Sequence, residues 1–421
     1  MQQTEPAPPL AGEFAALVAC RDDLIQDPYP LYARLRAEAP VYRHRDQVVV
    51  SRFEDASRVL SDARTFLSGH AGLRGSRVRA ALDAAPPGQR AKLVEVLEFR
   101  GGGLNHLNGE QHVRLRSLAH RAFTPRVVRR LEDRVRAIAD ELLDAIEARG
   151  PRFELIDDLA FQLPLFVLGD MLDVPRADSG VVRAWSKDIA AFQDGTNPAA
   201  LDAAHASMFA LRDHLRAIFA RRRGTHADDV IGALLAAEGD DGDRFGEDEL
   251  LPVIAHMVFA GHETTTSLIA TGLRALLLDF PAQWDALRAD RSLVAGAVDE
   301  LLRFDGPVQL TNRTAAVETE IAGVPIAQWD TIAVLVGAAN RDPDRFPAPD
   351  VVDVTRGETR HLGFGLGPHF CLGAALTRLE AQVALEALLE RFPRLAPVDP
   401  RAVRYRPDHR LRGLESFELA T

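Results

Sequence analysis

The chain predicts a mainly α-helical protein with a small β region, folded as a single large domain around a long central helix. Three observations carry that prediction. Glu247–Asp279 reads as one apolar helix of roughly thirty residues, far beyond the ~11–12 of an average helix, so it should cross the core. Apolar residues recur at helical spacing over Arg126–Arg149, Ala200–Arg222 and Ala374–Arg391. Strand-like runs are confined to Pro40–Ser51 and to short stretches with turn signals in Gly306–Val336.

Taken in order, residues 1–12 are polar and proline-rich and read as a flexible tail, with 13–421 as the domain. Pro40–Ser51 alternates apolar and polar residues, which predicts a short hairpin. From about Gly109 to Phe280 nearly everything reads as helix, broken by the polar Gly224–Asp229 and the acidic Glu238–Asp248. No internal repeat and no linker divides the chain.

With 47% hydrophobic and 26% charged residues, wholesale disorder and fibrous repeats are excluded. Asp and Glu outnumber Lys and Arg by 61 to 50, and the net charge of −11 argues against a general nucleic-acid binder. The two cysteines, Cys20 and Cys371, lie at opposite ends and do not form a secreted framework. Met1–Leu10 lacks a basic segment followed by an apolar one, and no run of ~20 apolar residues occurs, so a cytoplasmic protein without signal peptide or membrane anchor is expected.

Phe364-Gly365-Leu366-Gly367-Pro368-His369-Phe370-Cys371-Leu372-Gly373 is the most informative stretch. Gly365 and Gly367 allow a tight turn whose backbone approaches something flat. Cys371 opens the helix that runs on from Ala374, where the dipole favours thiolate and free N–H groups can reach its sulfur. A lone thiolate suits a haem axial ligand better than a zinc site needing four ligands. Three glycines at ~7% usage each already make chance a few in ten thousand, which sets aside an ordinary buried cysteine.

This stretch resembles the haem-binding signature of the cytochrome P450 superfamily, Phe-Gly-x-Gly-x-His-x-Cys-x-Gly, with every fixed position matched. The remaining motifs fall in the family's order, so the resemblance covers essentially the whole chain and is closest to soluble bacterial members. It implies the cytochrome P450 fold, haem b as cofactor and Cys371 as the iron ligand, with Phe364, Gly365 and Gly373 shaping the loop around it.

Ala260-Gly261-His262-Glu263-Thr264-Thr265 lies inside the long helix, although Gly and Thr are poor helix-interior residues. A Thr hydroxyl bonded four residues back, beside Gly261, could open the ladder and admit a water, and an acid next to an alcohol could relay protons. The hexamer resembles the family's oxygen-activation motif. That implies that Thr264 hydrogen-bonds the bound dioxygen, that Glu263 helps deliver protons, and that Ala260 lies against the haem. The pair favours monooxygenation over a peroxide-driven reaction.

Other positions take their expected roles from the same resemblance. Glu300 and Arg303 match the structural Glu-x-x-Arg motif, partnered by Asn340-Arg341-Asp342-Pro343 and Phe346. His112 and Arg116, four apart on a helix, with Arg313 and His369, are expected to hold the haem propionates. Arg114, Arg116, Arg121, Arg126, Arg129 and Arg130 form a basic stretch that reads as a solvated helix face or as a docking patch for an acidic electron donor. With no reductase fused, electrons are expected from a separate ferredoxin or flavodoxin.

For the substrate, a Gly- and Arg-rich loop at about 66–108 is expected to line the pocket, with His256, Phe259 and Ala260 on the long helix, Val308 and Gln309 near the haem edge, and Leu414 as a closing residue. His256 and Gln309 are each able to bond either a polar substrate group or the backbone. Such a pocket suits a hydrophobic small molecule, such as a terpenoid, steroid, polyketide or aromatic compound. The expected protein is thus a monomeric haem-thiolate monooxygenase using O2 for hydroxylation or epoxidation. The alternatives are a non-catalytic haem-binding or sensor protein and an atypical outcome such as demethylation or aryl coupling.

Overall fold

A computed structural model of the chain describes residues 8–69, 75–123, 125–192, 198–222, 230–237, 242–357 and 360–421. The polar break expected at 224–229 and the start of the acidic one at 238–241 lie outside the described residues.

The long helix runs over Glu247–Arg274 and ends in a π-helical turn, Ala275–Asp279, so the expected span is reproduced. At 1.5 Å per residue it is ~42 Å long. It packs against Gln162–Leu172, Leu201–Arg222, Val294–Asp305 and Ala374–Arg391. Its second half, from Thr265 to Leu273, is buried residue after residue, because neighbours cover every face. Gly261 lets Leu168 of Gln162–Leu172 approach: a Cβ there would lie 2.8 Å from Leu168 Cδ1.

The β region forms a five-stranded sheet in the order Val41–His44, Gln47–Val50, Thr331–Leu335, Leu310–Ala315, Phe66–Ser68. The expected hairpin supplies its first two strands, with Val41 opposite Val50. Gln47–Val50 pairs parallel to Thr331–Leu335, and the other pairings are antiparallel. Val48, Val50, Ile332 and Val334 build a second, smaller core on this sheet beside the helical one.

Three expectations change. Residues 8–12, read as tail, begin the helix Pro8–Val18, because Leu10, Phe14 and Leu17 fall on one face and are buried. The stretch read as a loop at 66–108 holds a strand, Phe66–Ser68, and two helices, Ser76–Ala84 and Pro87–Gly101. The helical stretch 126–149 is split into Pro125–Arg130 and Glu132–Arg149, with Leu131 between them.

Candidate active site

The cysteine loop is closed by its own backbone. Cys371 N–H donates to the Phe364 carbonyl at 2.9 Å, and Gly365 and Gly367 take φ of +71° and +72°. At Gly367 a Cβ would also lie 2.8 Å from the Ser61 Cα, backbone against backbone, so this position has no room for a side chain. The Arg378 guanidinium lies 4.5 Å over the Phe364 ring. The following helix starts at Ala374, so Cys371 precedes it by three residues. Burial pushes the Cys371 thiol up, opposed by the Gly373 N–H and by the Arg116 and Arg378 cations.

Cys371 faces a cavity of about 320 Å³ that is also lined by Phe364, Gly365 and His369 from its loop and by Ala260, Glu263 and Thr264 from the long helix. Two motifs more than a hundred residues apart in sequence thus meet at one space. Thr264 Oγ1 donates to the Ala260 carbonyl at 2.8 Å, and Thr265 and Thr266 bond back likewise to Gly261 and His262. The helix stays α-helical through this motif, so the expected opening of its ladder is not present. Glu263 pairs with Arg406 at 2.5 Å.

Of the expected pocket residues, His256, Phe259, Ala260 and Val308 line the cavity. Burial first, then the Arg100 cation, brings His256 down to about 4. A smaller cavity of about 60 Å³ shares Arg100, His256 and Phe259 and extends to Phe99, Met208 and Leu211. Gln309 and Leu414 do not line the cavity. Gln309 instead donates to the Gly306 carbonyl at 2.9 Å and lies against Gly337. Leu414 is buried in the strand Leu414–Ser416; Leu411, bridged to Val308, takes its place on the wall. From the stretch 66–108 expected to line the pocket, Ser68, Gly69, Arg100, Asn105 and His106 do so; the sequence reading missed Arg410 and Leu411, because no local pattern marks residues brought in from a distant segment.

A cationic cluster adjoins the loop. The rings of His112 and His369 stack with centroids 4.0 Å apart, and Arg116 donates to the Phe370 carbonyl. Arg313, buried in the strand Leu310–Ala315, donates to the Asn312 carbonyl at 2.9 Å. No ion pair joins any of these four to a carboxylate among the described residues, and His112 Nε2 and His369 Nδ1 are buried without a partner. Desolvation accordingly lowers each: His112 to about 4, His369 to about 3 with electrostatic repulsion from His112, Arg313 and Arg116 adding to it, and Arg313 to about 10. The buried Arg313 cation, the half-buried Arg116 and the unpartnered imidazole nitrogens, set beside the half-buried Cys371 and a largely apolar cavity, fit a group carrying carboxylates. That is haem b.

The expected structural pair is present and deeply buried. Arg303 donates to Glu300 at 2.7 and 2.8 Å and to the carbonyls of Pro349 and Val351. Its guanidinium lies 5.4 Å from the Phe346 ring centroid, and Asn340 Oδ1 accepts from Leu362 N–H, tying the segment to the cysteine loop's entry. Arg356, which the sequence reading did not single out, also bonds Glu300 at 3.0 Å. In the basic stretch, Arg114 is paired with Asp243 and Glu249, so it belongs to an internal ion-pair set and not to a free patch; Arg129 and Arg130 are exposed, and the Arg126 side chain lies outside the described residues.

Fold and site together define a haem-thiolate oxidoreductase. The family description "Cytochrome P450" matches residues 201–403. The chain is 38% identical to the cytochrome P450 monooxygenase PikC of Streptomyces venezuelae, over 99% of this chain and 96% of that one. It is 35% identical to the 6-deoxyerythronolide B hydroxylase of Saccharopolyspora erythraea, over 94% and 97%. Among solved structures, a ligand-free cytochrome P450 of Mycobacterium smegmatis superposes with a TM-score of 0.85 at 36% identity, covering 98% of this chain and 100% of that one. The chain belongs to the cytochrome P450 family, as a bacterial-type monooxygenase whose cofactor is haem b and which works with O2, a hydrophobic substrate and a redox partner protein. No helix among the described residues is long and apolar enough to cross a membrane.

Proposed function

We propose that the protein inserts one oxygen atom from O2 into a hydrophobic small molecule, with electrons from a separate ferredoxin or flavodoxin, as a cytoplasmic monomer. The observation that carries this is the meeting of the Cys371 thiol with Thr264 and Glu263 at one largely apolar cavity. Relatives named as a 6-deoxyerythronolide B hydroxylase and a vitamin D(3) 25-hydroxylase support hydroxylation as the outcome.

In this reading Cys371 ligates the iron, held by the Gly365–Gly367 turn and by the Gly373 N–H. His112, Arg116, Arg313 and His369 hold the propionates, which supply the anions that their buried donors lack. When bound, the haem supplies the binding and reductive activation of dioxygen. The chain's own residues do the rest. Phe259, Ala260, Val308 and Leu411 bind the apolar substrate and exclude water. The Thr264 hydroxyl, now donating to the Ala260 carbonyl, is placed to hold a proton at its Oγ1, and the Glu263 carboxyl to replenish it.

The test is spectroscopic. Titrating the ferric protein with terpenoids, steroids, macrolides and aromatic acids should give a saturable blue shift of the Soret band for the right class. Cys371→His should abolish the red-shifted reduced-CO band of thiolate ligation; its persistence would refute the ligand assignment.

A further inference from the structure

The carboxyl of the long-helix motif is held by a residue from the far end of the chain. Arg406 follows the short strand Arg404–Tyr405 and pairs with Glu263 at 2.5 Å. Its second guanidinium arm donates to Ser267 Oγ at 3.1 Å, one helical turn beyond Glu263. Its backbone N–H bonds the Gly413 carbonyl at 2.8 Å. A Cβ on Gly413 would overlap the guanidinium and would lie 2.6 Å from Ser267 Oγ, so a glycine is what leaves the slot open. The Arg406 side chain is 37% exposed and that of Glu263 15%, while Glu263 also faces the cavity. The pair therefore spans from solvent to the cavity wall.

We propose that Arg406 is the positioning residue for Glu263, fixing its carboxyl between solvent and Thr264 and thereby setting how efficiently protons reach the cavity. The inference rests on the proton role proposed above for Glu263. Each proton comes from bulk water, resides on the Glu263 carboxyl, passes into the cavity, and is replaced by another from water; Arg406 keeps its own protons. Proton transfer depends steeply on placement, and a glutamate has three side-chain torsions to disperse it. The guanidinium fork, anchored on Ser267 and slotted against Gly413, removes that freedom.

The experiment compares wild type, Arg406→Gln, Arg406→Lys, Glu263→Gln and the Glu263→Gln/Arg406→Gln double variant as holoenzymes. Reduced-CO spectra and substrate-induced Soret shifts establish that haem and pocket are intact in each. With a reconstituted ferredoxin chain, product per NADH should fall roughly tenfold in Arg406→Gln, with hydrogen peroxide in its place, and the solvent isotope effect should change. The double variant should be no worse than Glu263→Gln, and Arg406→Lys should recover part of the loss. A thermal-unfolding double-mutant cycle on the ferric proteins should show the two residues coupled. Full coupling of NADH to product in Arg406→Gln, with Glu263→Gln uncoupled, overturns the role of Arg406 and leaves that of Glu263. Full coupling in Glu263→Gln overturns both.

Discussion

At the scale of single residues, the cavity face of the long helix separates two jobs. Thr264 points its hydroxyl at a carbonyl of its own helix beside the cavity, one rotation from it. Thr264→Ala removes the hydroxyl and leaves the helix better formed, since Ala has the higher propensity. Substrate binding should persist while NADH consumption continues with peroxide in place of product; full coupling would refute the role. Glu380, in the helix behind the motif, is buried with Oε1 unpartnered. Burial raises it from 4.5 to about 8, against a hydrogen bond from Thr265. Its proton is thus bound more tightly in the folded than in the unfolded protein. The stability it contributes is fully present below pH 4.5 and is lost as pH rises through about 8. Glu380→Gln should flatten this loss, so its advantage over wild type in urea unfolding should grow by up to about 1.4 kcal/mol per pH unit across that window. An advantage independent of pH would contradict it.

At the scale of elements, the cysteine loop is positioned by docking as much as by its own turn. Gly367 sits on the last turn of the helix Phe53–Ser61, with no space for a Cβ and with a left-handed φ. Gly367→Ala should cost about 1–3 kcal/mol. Part of that should appear as displacement of the loop, read as faster haem loss to apomyoglobin than in wild type; unchanged stability and haem retention would show that the loop adapts. The long helix is held on the other side by Gly261, where the nearest atoms belong to the Leu168 side chain, so that contact is the more forgiving of the two.

At the scale of the whole molecule, buried charge networks join distant segments. Asp305 takes hydrogen bonds from Tyr29, Tyr405 and Arg412, linking an early helix to the C-terminal strands. Glu300 carries both Arg303 and Arg356, and Arg303 reaches the carbonyls that precede the cysteine loop. Removing Glu300 takes the carboxylate from two guanidinium groups, which keep only carbonyl acceptors; removing Arg356 leaves Glu300 its buried Arg303. Glu300→Ala should therefore lose about 3–5 kcal/mol, and Arg356→Ala clearly less. Chemical denaturation of the holoproteins measures both, and equal losses would contradict the ranking.

The sequence by itself determined the chemistry and the main architecture. A fixed pattern around Cys371, the Ala-Gly-x-Glu-Thr-Thr run and an apolar stretch long enough to cross the core are all local in the chain, and so are the forces that set them: turn geometry, helix periodicity and ligand type. Only the tertiary structure decided what depends on how segments meet. It turned Gln309 away from the cavity onto the Gly306 carbonyl, and it put Leu411, bridged to Val308, where Leu414 was expected. It joined Leu10 to the core, built helices where a loop was expected before residue 108, and brought Arg356 to Glu300 and Arg406 to Glu263. These partners stand 56 and 143 residues apart, and an ion pair at such separation leaves no periodicity in the sequence to read.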